Sequence, residues 1–226
     1  MGTIRPFRHL RRVYCAGPLF NESERQEMNR IAVSLAAAGF EPFVPHADGM
    51  EFAQLHPYLA DAGYDADEVG RFLHQAIFAL DTYQVVCGCG ALVLNMNGRV
   101  PDEGAVSEAA MAWMLGKPIV IFKADCRSKV AGRDNPLVAG LADFETIEEF
   151  EQLGPRLAER YIELAPEQGH EVPCPPHLQR TLAAGGELWR RLESLGTARP
   201  LPELAQIVVE LFATPVAGSL GSPTGE

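Results

Sequence analysis

Two short, almost uninterrupted apolar runs place the strongest constraint on the fold of this chain. They are ALVLN at 91–95 and IVIFK at 119–123. Runs of this length and composition are typical of parallel strands that are covered on both faces. RVYCAG at 12–17 ends in a Gly-Pro turn and predicts a third strand, and EPFVP at 41–45, with prolines at its edges, predicts a fourth.

Helical patterns separate these strands. Asn21 and Glu24 form an N-x-x-E capping box, and Gly39 supplies a C-terminal stop. Further helices are predicted at 67–86 and 102–115. Alternation of strands and helices predicts an α/β fold with a doubly wound, Rossmann- or flavodoxin-like parallel sheet. The segment 47–67 has weak periodicity and many Gly, Pro, Asp and Tyr residues, so we expect a functional loop or lid there.

The rest of the chain surrounds one predicted α/β domain at 12–146. Residues 1–11 form an N-terminal extension, and residues 147–213 form a helical region packed on the domain, with helices at 147–164, 176–195 and 202–212. Residues 214–226 are rich in Gly, Ser, Pro and Thr, which predicts a disordered tail.

Charge and cysteine content narrow the class of function. The formal net charge is −11 with scattered acidic residues, which disfavours binding to nucleic acid or an anionic membrane. Five cysteines, no secretory signal and no apolar run of membrane-spanning length predict reduced thiols in the cytoplasm. Cys87 and Cys89 lack a second pair with zinc-ligand spacing, so no metal site is expected. We also expect no cofactor.

Glu108 is the main anomaly in the sequence. Its helix reads GAVSEAAMAWML, apolar on nearly every side, which predicts burial all round. A lone carboxylate there costs on the order of several kcal/mol unless it is paired or partly solvated. We interpret Glu108 as projecting into a pocket. The alternative is that it lies on a narrow solvent stripe with Ser107.

Four further residues allow structural readings as well as functional ones. Asp102 is a favoured N-cap. It can share a pocket with Glu108 only if it belongs to the loop over the helix start, because six helical residues turn it about 120° away. The alternative for Asp81 is that it lies on the solvent-exposed face of its helix, and the alternative for Tyr14 is that it is a core residue. Asn135 precedes Pro136 and suits a turn.

Several of these segments together resemble the nucleoside 2-deoxyribosyltransferase family. They are YCAGPLF at 14–20, the helical Asp81, ALVLN at 91–95 and DEGAVSEAAMAWMLGKPIVIF at 102–122. The similarity covers roughly residues 12–145 and centres on a D-x-G-x-x-x-E pattern followed by G-K-P. Family members often carry an aromatic residue or Met before the Glu and a Gly after it. Here Ser107 and Ala109 occupy those places.

The resemblance implies a role for each matching residue. Glu108 would be the nucleophile, Asp102, helped by Asp81, would transfer a proton to the nucleobase, and Tyr14 would steady Glu108. Asn135 would reach the sugar of a neighbouring subunit, which implies a homo-oligomer with shared active sites. The loops at the strand ends would bind substrate through Gly17, Pro18, Asn95, Asn97 and Gly104.

The activity implied is transfer of 2-deoxyribose between nucleobases through a covalent deoxyribosyl-Glu108 intermediate. The partners would be a small-molecule deoxynucleoside and a free base. The alternative within the same chemistry is hydrolysis of (deoxy)nucleosides or their 5′-monophosphates. A phosphate would need donors such as Arg99 or the cluster Lys123, Arg127, Lys129 and Arg133, which otherwise forms a solvated basic loop.

Two other classes of protein remain as alternatives. A non-catalytic nucleotide-binding module would leave the three acidic residues without a purpose. A dinucleotide oxidoreductase fits worse, because Gly88-x-Gly90 precedes a strand and the third glycine is missing. His46 and His56, near the predicted lid, are interpreted as surface residues.

Overall fold

A four-stranded parallel sheet forms the centre of the molecule, as shown by a computed structural model that describes residues 2–50, 52–98, 100–125, 134–196 and 198–213. The strands are β1 (Gly2–Ile4), β2 (Arg12–Ala16), β3 (Glu41–Phe43), β4 (Ala91–Asn95), β5 (Ile119–Phe122) and β6 (Val172–Cys174). Four of these strands form the parallel sheet, in the order β3-β2-β4-β5. The predicted α/β class with a doubly wound sheet is confirmed.

Helices cover both faces of this sheet. They are α1 (Glu22–Ala37), α2 (Pro45–Asp48), α3 (Phe52–Asp61), α4 (Ala66–Tyr83), α5 (Glu103–Met114), α6 (Pro136–Ala139), α7 (Leu153–Leu164), α8 (Pro176–Ser194) and α9 (Leu201–Val208). Alternate strand residues face opposite layers. Val13 and Val93 pack with α1 and α7, whereas Tyr14 and Leu94 pack with α4, α5, α8 and α9.

The N-terminal segment pairs with a strand from the second half of the chain. β1 and β6 form a two-stranded antiparallel sheet, which the sequence did not predict. The buried Lys117 ammonium donates hydrogen bonds to the carbonyls of Pro6 and Cys89 and so ties the N-terminal segment to the start of β4. The proposed division at residues 11 and 146 stays a prediction, and the predicted disordered tail lies outside the described residues.

The segment predicted as a loop or lid is largely helical, so that prediction is wrong. α2 and α3 occupy most of it. Leu55 and Leu59 are one helical turn apart and are both buried in the core with α4 residues. Pro57 lies inside α3, and the polar and turn-forming residues around these two leucines obscured the short apolar face.

Helix α5 is not buried all round, which corrects a second prediction. Its buried residues are Ala105, Ala109 and Ala112, whereas Trp113 is 52% and Met114 is 75% exposed. The alanine face lets the helix approach the sheet closely, and the opposite face is apolar without being covered. Apolar composition alone therefore overstated the burial of this helix.

Two other boundaries differ from the sequence patterns. The helix expected at 147–164 begins as a 3₁₀ turn (Phe150–Gln152) before α7, and α4 continues into a π-helical turn at Gln84–Gly88. Among the described residues, no helix combines the length and apolarity needed to cross a membrane.

Close packing of α4 on α8 yields a stability prediction. A Cβ on Gly185 would lie 2.0 Å from the backbone oxygen of Ala79, so Gly185→Ala must push the helices apart. We expect a loss of about 2 kcal/mol, or roughly 4–8 °C in Tm for a domain of this size. Gly70→Ala on α4 is the matched control, since its nearest neighbour would be 3.9 Å away. Equal Tm values for the two variants would contradict the packing.

Candidate active site

The sheet has a switch point between β2 and β4, where ligands of doubly wound folds bind. From β2 the chain passes to β3 on one side and later returns to β4 on the other side. A cavity of about 920 Å³ opens at the carboxyl ends of these strands. The residues that line it include Gly17, Phe20, Arg25, His46, His74, Asp81, Asp102, Glu103, Gly104 and Glu108.

Helices α4 and α5 bring two carboxyl groups to this cavity, and β2 places a tyrosine against one of them. Tyr14 is fully buried in the middle of β2, and its hydroxyl donates a 2.7 Å hydrogen bond to Glu108 Oε1 on α5. Asp81, near the end of α4, lines the same cavity. The structure does not place Glu108 on a solvent stripe with Ser107, which is exposed and donates to the Glu103 carbonyl instead.

Burial makes both carboxyl groups hold protons more tightly than usual, and at Glu108 repulsion from neighbouring carboxylates adds to the effect. Desolvation raises the pKa of Glu108, and the charges of Asp81 and Asp102 raise it further, while the Tyr14 hydrogen bond lowers it. Desolvation also raises the pKa of Asp81, and the Tyr14 hydrogen bond opposes the shift. Two carboxyls in one site do not both ionise readily, so we expect Glu108 and Asp81 to share a proton near neutral pH.

Tyr14 is suited to act as a permanent hydrogen-bond donor. Burial and the neighbouring carboxylates raise the pKa of its phenol well above the ordinary value, so the hydroxyl keeps its proton. Its ring stacks on Phe43 with centroids 5.5 Å apart. This contact fixes the direction of the hydroxyl and therefore the position of Glu108.

Asp102 both caps α5 and lines the cavity. One of its oxygens accepts a 2.7 Å hydrogen bond from the Ala105 amide, and its own backbone is extended. It therefore stands over the helix start, which is the geometry required for it to share a pocket with Glu108. A Cβ on Gly104 would lie 3.1 Å from the Asp102 carboxyl, so the glycine leaves that side of Asp102 open.

The other predicted binding residues divide between two cavities and the interior. Gly17 lines the main cavity, and a Cβ there would lie 2.6 Å from the sulfur of Met28. Pro18 and Asn97 line an adjoining cavity of about 510 Å³, which shares Phe20, Asp102 and Glu103 with the first. Asn95 is fully buried and lines neither.

Asn135 is not among the described residues that line either cavity of its own chain. It is exposed, precedes α6, and accepts a hydrogen bond from the Leu137 amide. The interpretation of Asn135 as a turn residue therefore describes its local role. Its suggested contact with the site of a neighbouring subunit stays a prediction.

Sequence reasoning missed several residues that line the main cavity. Arg25 of α1, His74 of α4 and Phe20 lie there, and the Phe20 side chain is 80% exposed at the rim. The prediction of His46 as a surface residue is wrong, since it is half-buried and lines the cavity. Phe20 is the last residue of the YCAGPLF segment, which continues from β2. Because ligands bind beyond the carboxyl ends of the strands, this position could have identified Phe20 as a cavity residue.

The suggested phosphate donors find no support in the described part of the chain. Lys123 is buried and donates hydrogen bonds to the Met96 carbonyl and to Asp125, so it serves the loop after β4. The other basic residues considered for this role lie outside the described residues: Arg99, Arg127, Lys129 and Arg133.

Comparisons with known proteins identify the family of this chain. The family model for nucleoside 2-deoxyribosyltransferase matches residues 13–173, and no curated protein matches the chain. One similar solved structure is a conserved protein from Enterococcus faecalis V583, with 18% identity and a TM-score of 0.50. The match covers 67% of this chain and 99% of that one. At that identity the likeness concerns the fold alone, but the family model spans well over half of the 226 residues. This chain belongs to the nucleoside 2-deoxyribosyltransferase family.

Proposed function

We propose that this protein transfers 2-deoxyribose between nucleobases, with Glu108 as the nucleophile. The observation that carries the proposal is the 2.7 Å hydrogen bond from the buried Tyr14 hydroxyl to Glu108. It holds a carboxylate oxygen in a cavity that three more carboxyl groups line: Asp81, Asp102 and Glu103. A carboxylate so placed can attack an anomeric carbon and form a glycosyl-enzyme.

In the first half-reaction the C1′–N bond breaks and a C1′–O bond to Glu108 forms. The bonding electron pair leaves with the base, which takes up a proton. Asp81 is the better donor of this proton, since burial raises its pKa, whereas one Asp102 oxygen is already bonded to the Ala105 amide. Asp102 is left to orient the base. The family resemblance by itself implies the opposite weighting of the two.

The second half-reaction reverses these events with a new base. Asp81 takes a proton from the acceptor base, whose nitrogen lone pair attacks C1′, and the bond to Glu108 breaks. Two successive inversions give net retention. The absence of a 2′-hydroxyl makes the sugar cation easier to form, which favours deoxyribose. The exposed Phe20 ring at the cavity rim offers a surface on which a base can stack.

The proposal includes a homo-oligomer in the cytoplasm with shared active sites. Asn135 is exposed and is not among the described residues that line the cavity of its own chain. A second copy of the chain is the proposed source of its contact with a sugar. The scattered negative charge fits small-molecule substrates better than nucleic acid.

Replacement of the nucleophile is the first test. Glu108→Ala should lose at least about 10³-fold in exchange of deoxyinosine with adenine, because removal of a covalent nucleophile costs at least that much. Chromatography of the products measures the rate. Ser107→Ala, at the neighbouring exposed position, is the control and should keep its activity. Near-normal exchange by Glu108→Ala would remove the assignment.

Dependence on an acceptor base separates transfer from hydrolysis. We expect hypoxanthine release from deoxyinosine to require adenine or cytosine, because a base must resolve the glycosyl-enzyme. The measurement compares release with and without the acceptor. Equal release in both conditions would show that water resolves the intermediate and that the protein is a hydrolase.

The carboxyl pair also predicts how stability depends on pH. The pKa of Glu108 is raised by folding, so its stabilising contribution is complete below its unfolded pKa and is lost as pH rises through the folded pKa. Glu108→Gln does not titrate. Its Tm should match that of the unmodified protein at about pH 5 and exceed it by several degrees at about pH 9.

Glu22→Gln on the exposed face of α1 is the control for this comparison. Glu22 accepts a hydrogen bond from the neighbouring Gln26 side chain and does not line the cavity that contains the carboxyl pair. Its Tm difference from the unmodified protein should not change across the same pH range. A flat difference for Glu108→Gln as well would contradict the raised pKa.

A further inference from the structure

Another carboxylate, Glu27, joins the loop after β4 to helix α1. Glu27 is half-buried on α1. One of its oxygens accepts a 2.7 Å hydrogen bond from the Asn95 amide nitrogen, and the other accepts a 2.8 Å hydrogen bond from the Asn97 amide nitrogen. Asn95 is fully buried and Asn97 is 8% exposed, so these donors have little access to water.

The two asparagine side chains cannot turn over to suit a different partner. The Asn95 side-chain oxygen accepts the Asn97 backbone amide at 3.0 Å. The Asn97 side-chain oxygen accepts the backbone amides of Ala124 at 2.8 Å and Asp125 at 3.2 Å. Both NH₂ groups are therefore fixed toward residue 27, which must offer two acceptors.

The same network continues to Gly98, in the loop that precedes α5. Asp125 accepts the Gly98 amide at 2.8 Å and the Lys123 ammonium at 3.0 Å. Gly98 is four residues before Asp102, and Glu27, Gly98 and Asp102 all line the adjoining cavity. Glu27 thus anchors the loop that delivers Asp102 to the main cavity.

We propose that Glu27 is a positioning residue that fixes this loop so that Asp102 is held beside Glu108. The inference rests on the proposed function for its catalytic consequence. Glu27 does not line the cavity that contains Glu108, and its effect passes through Asn95 and Asn97. A small displacement of a group that orients the base is enough to slow the chemical step.

The decisive experiment exchanges the hydrogen-bond donor and acceptor between residues 27 and 97. Glu27→Gln presents one oxygen and one NH₂ where two oxygens are needed, so one asparagine NH₂ faces another donor. We expect kcat to fall about tenfold with KM changed less than threefold. In the double variant Glu27→Gln/Asn97→Asp, the side chain at position 97 keeps one oxygen for the Ala124 and Asp125 amides and offers the other to the NH₂ group at position 27. Net charge is unchanged, and most of kcat should return.

Two controls separate positioning from general stability. Glu22→Gln, on the same helix and exposed, should keep both kcat and KM. Hydrogen exchange at the backbone amides of Asn97, Gly98 and Ala124, followed by NMR, should be faster in Glu27→Gln and slower again in the double variant. A lower Tm with unchanged kcat per folded molecule would overturn the proposal. So would equal kcat in the single and double variants.

Failure of the proposed function gives a different pattern. If the unmodified protein neither exchanges nor releases bases, the proposed function fails and no catalytic role for Glu27 survives. The proposal that Glu27 fixes the loop through Asn95 and Asn97 is then judged by amide hydrogen exchange alone. Unchanged exchange at Asn97, Gly98 and Ala124 in Glu27→Gln would overturn that part as well.

Discussion

The hydrogen bond between Tyr14 and Glu108 is the contact on which the rest of the site depends. It joins the middle of a fully buried strand to a helix that packs on the sheet through alanines. Without it, Glu108 would be a desolvated carboxylate beside the charge of Asp81. The Tyr14 hydroxyl lowers the pKa of both Glu108 and Asp81, whereas burial raises both, so the pair keeps a proton while the ionised form that a nucleophile needs is stabilised. The bond also fixes the position of a Glu108 oxygen, which supports the proposed assignment of Glu108 as the nucleophile.

The fold supplies this contact through the direction of alternate strand residues. Tyr14 faces the layer of α4 and α5, whereas Val13 faces α1 and α7. A shift of β2 by one residue would point Tyr14 away from Glu108. Close packing at the strand end, where Gly17 leaves no room for a Cβ beside Met28, disfavours such a shift. Sheet register and catalytic geometry are therefore set by the same side chains.

Local patterns in the sequence were sufficient for most of the sheet and part of the site. Apolar runs predicted β4 and β5, and the Asn21–Glu24 capping box, present in the structure, marked the start of α1. Residues that act through distant partners were not predictable in this way. The buried face of α3 depends on Leu55 and Leu59 packing against α4. The hydrogen bonds of Glu27 require the side-chain amides of Asn95 and Asn97, which lie about 70 residues further along the chain. Resemblance to a family carried the roles of Asp81 and Tyr14, which periodicity alone would assign to a helix face and the core.

The central claim is that Glu108 forms a covalent bond to the sugar, and capture of that adduct tests it most directly. Fluorine at C2′ destabilises the sugar cation, so a slowly turned-over 2′-fluorinated nucleoside should let the glycosyl-enzyme accumulate. Peptide mapping by mass spectrometry should then place the modification on Glu108, and Glu108→Gln should remain unmodified. Release of base without an adduct, or an adduct on another residue, would contradict the account.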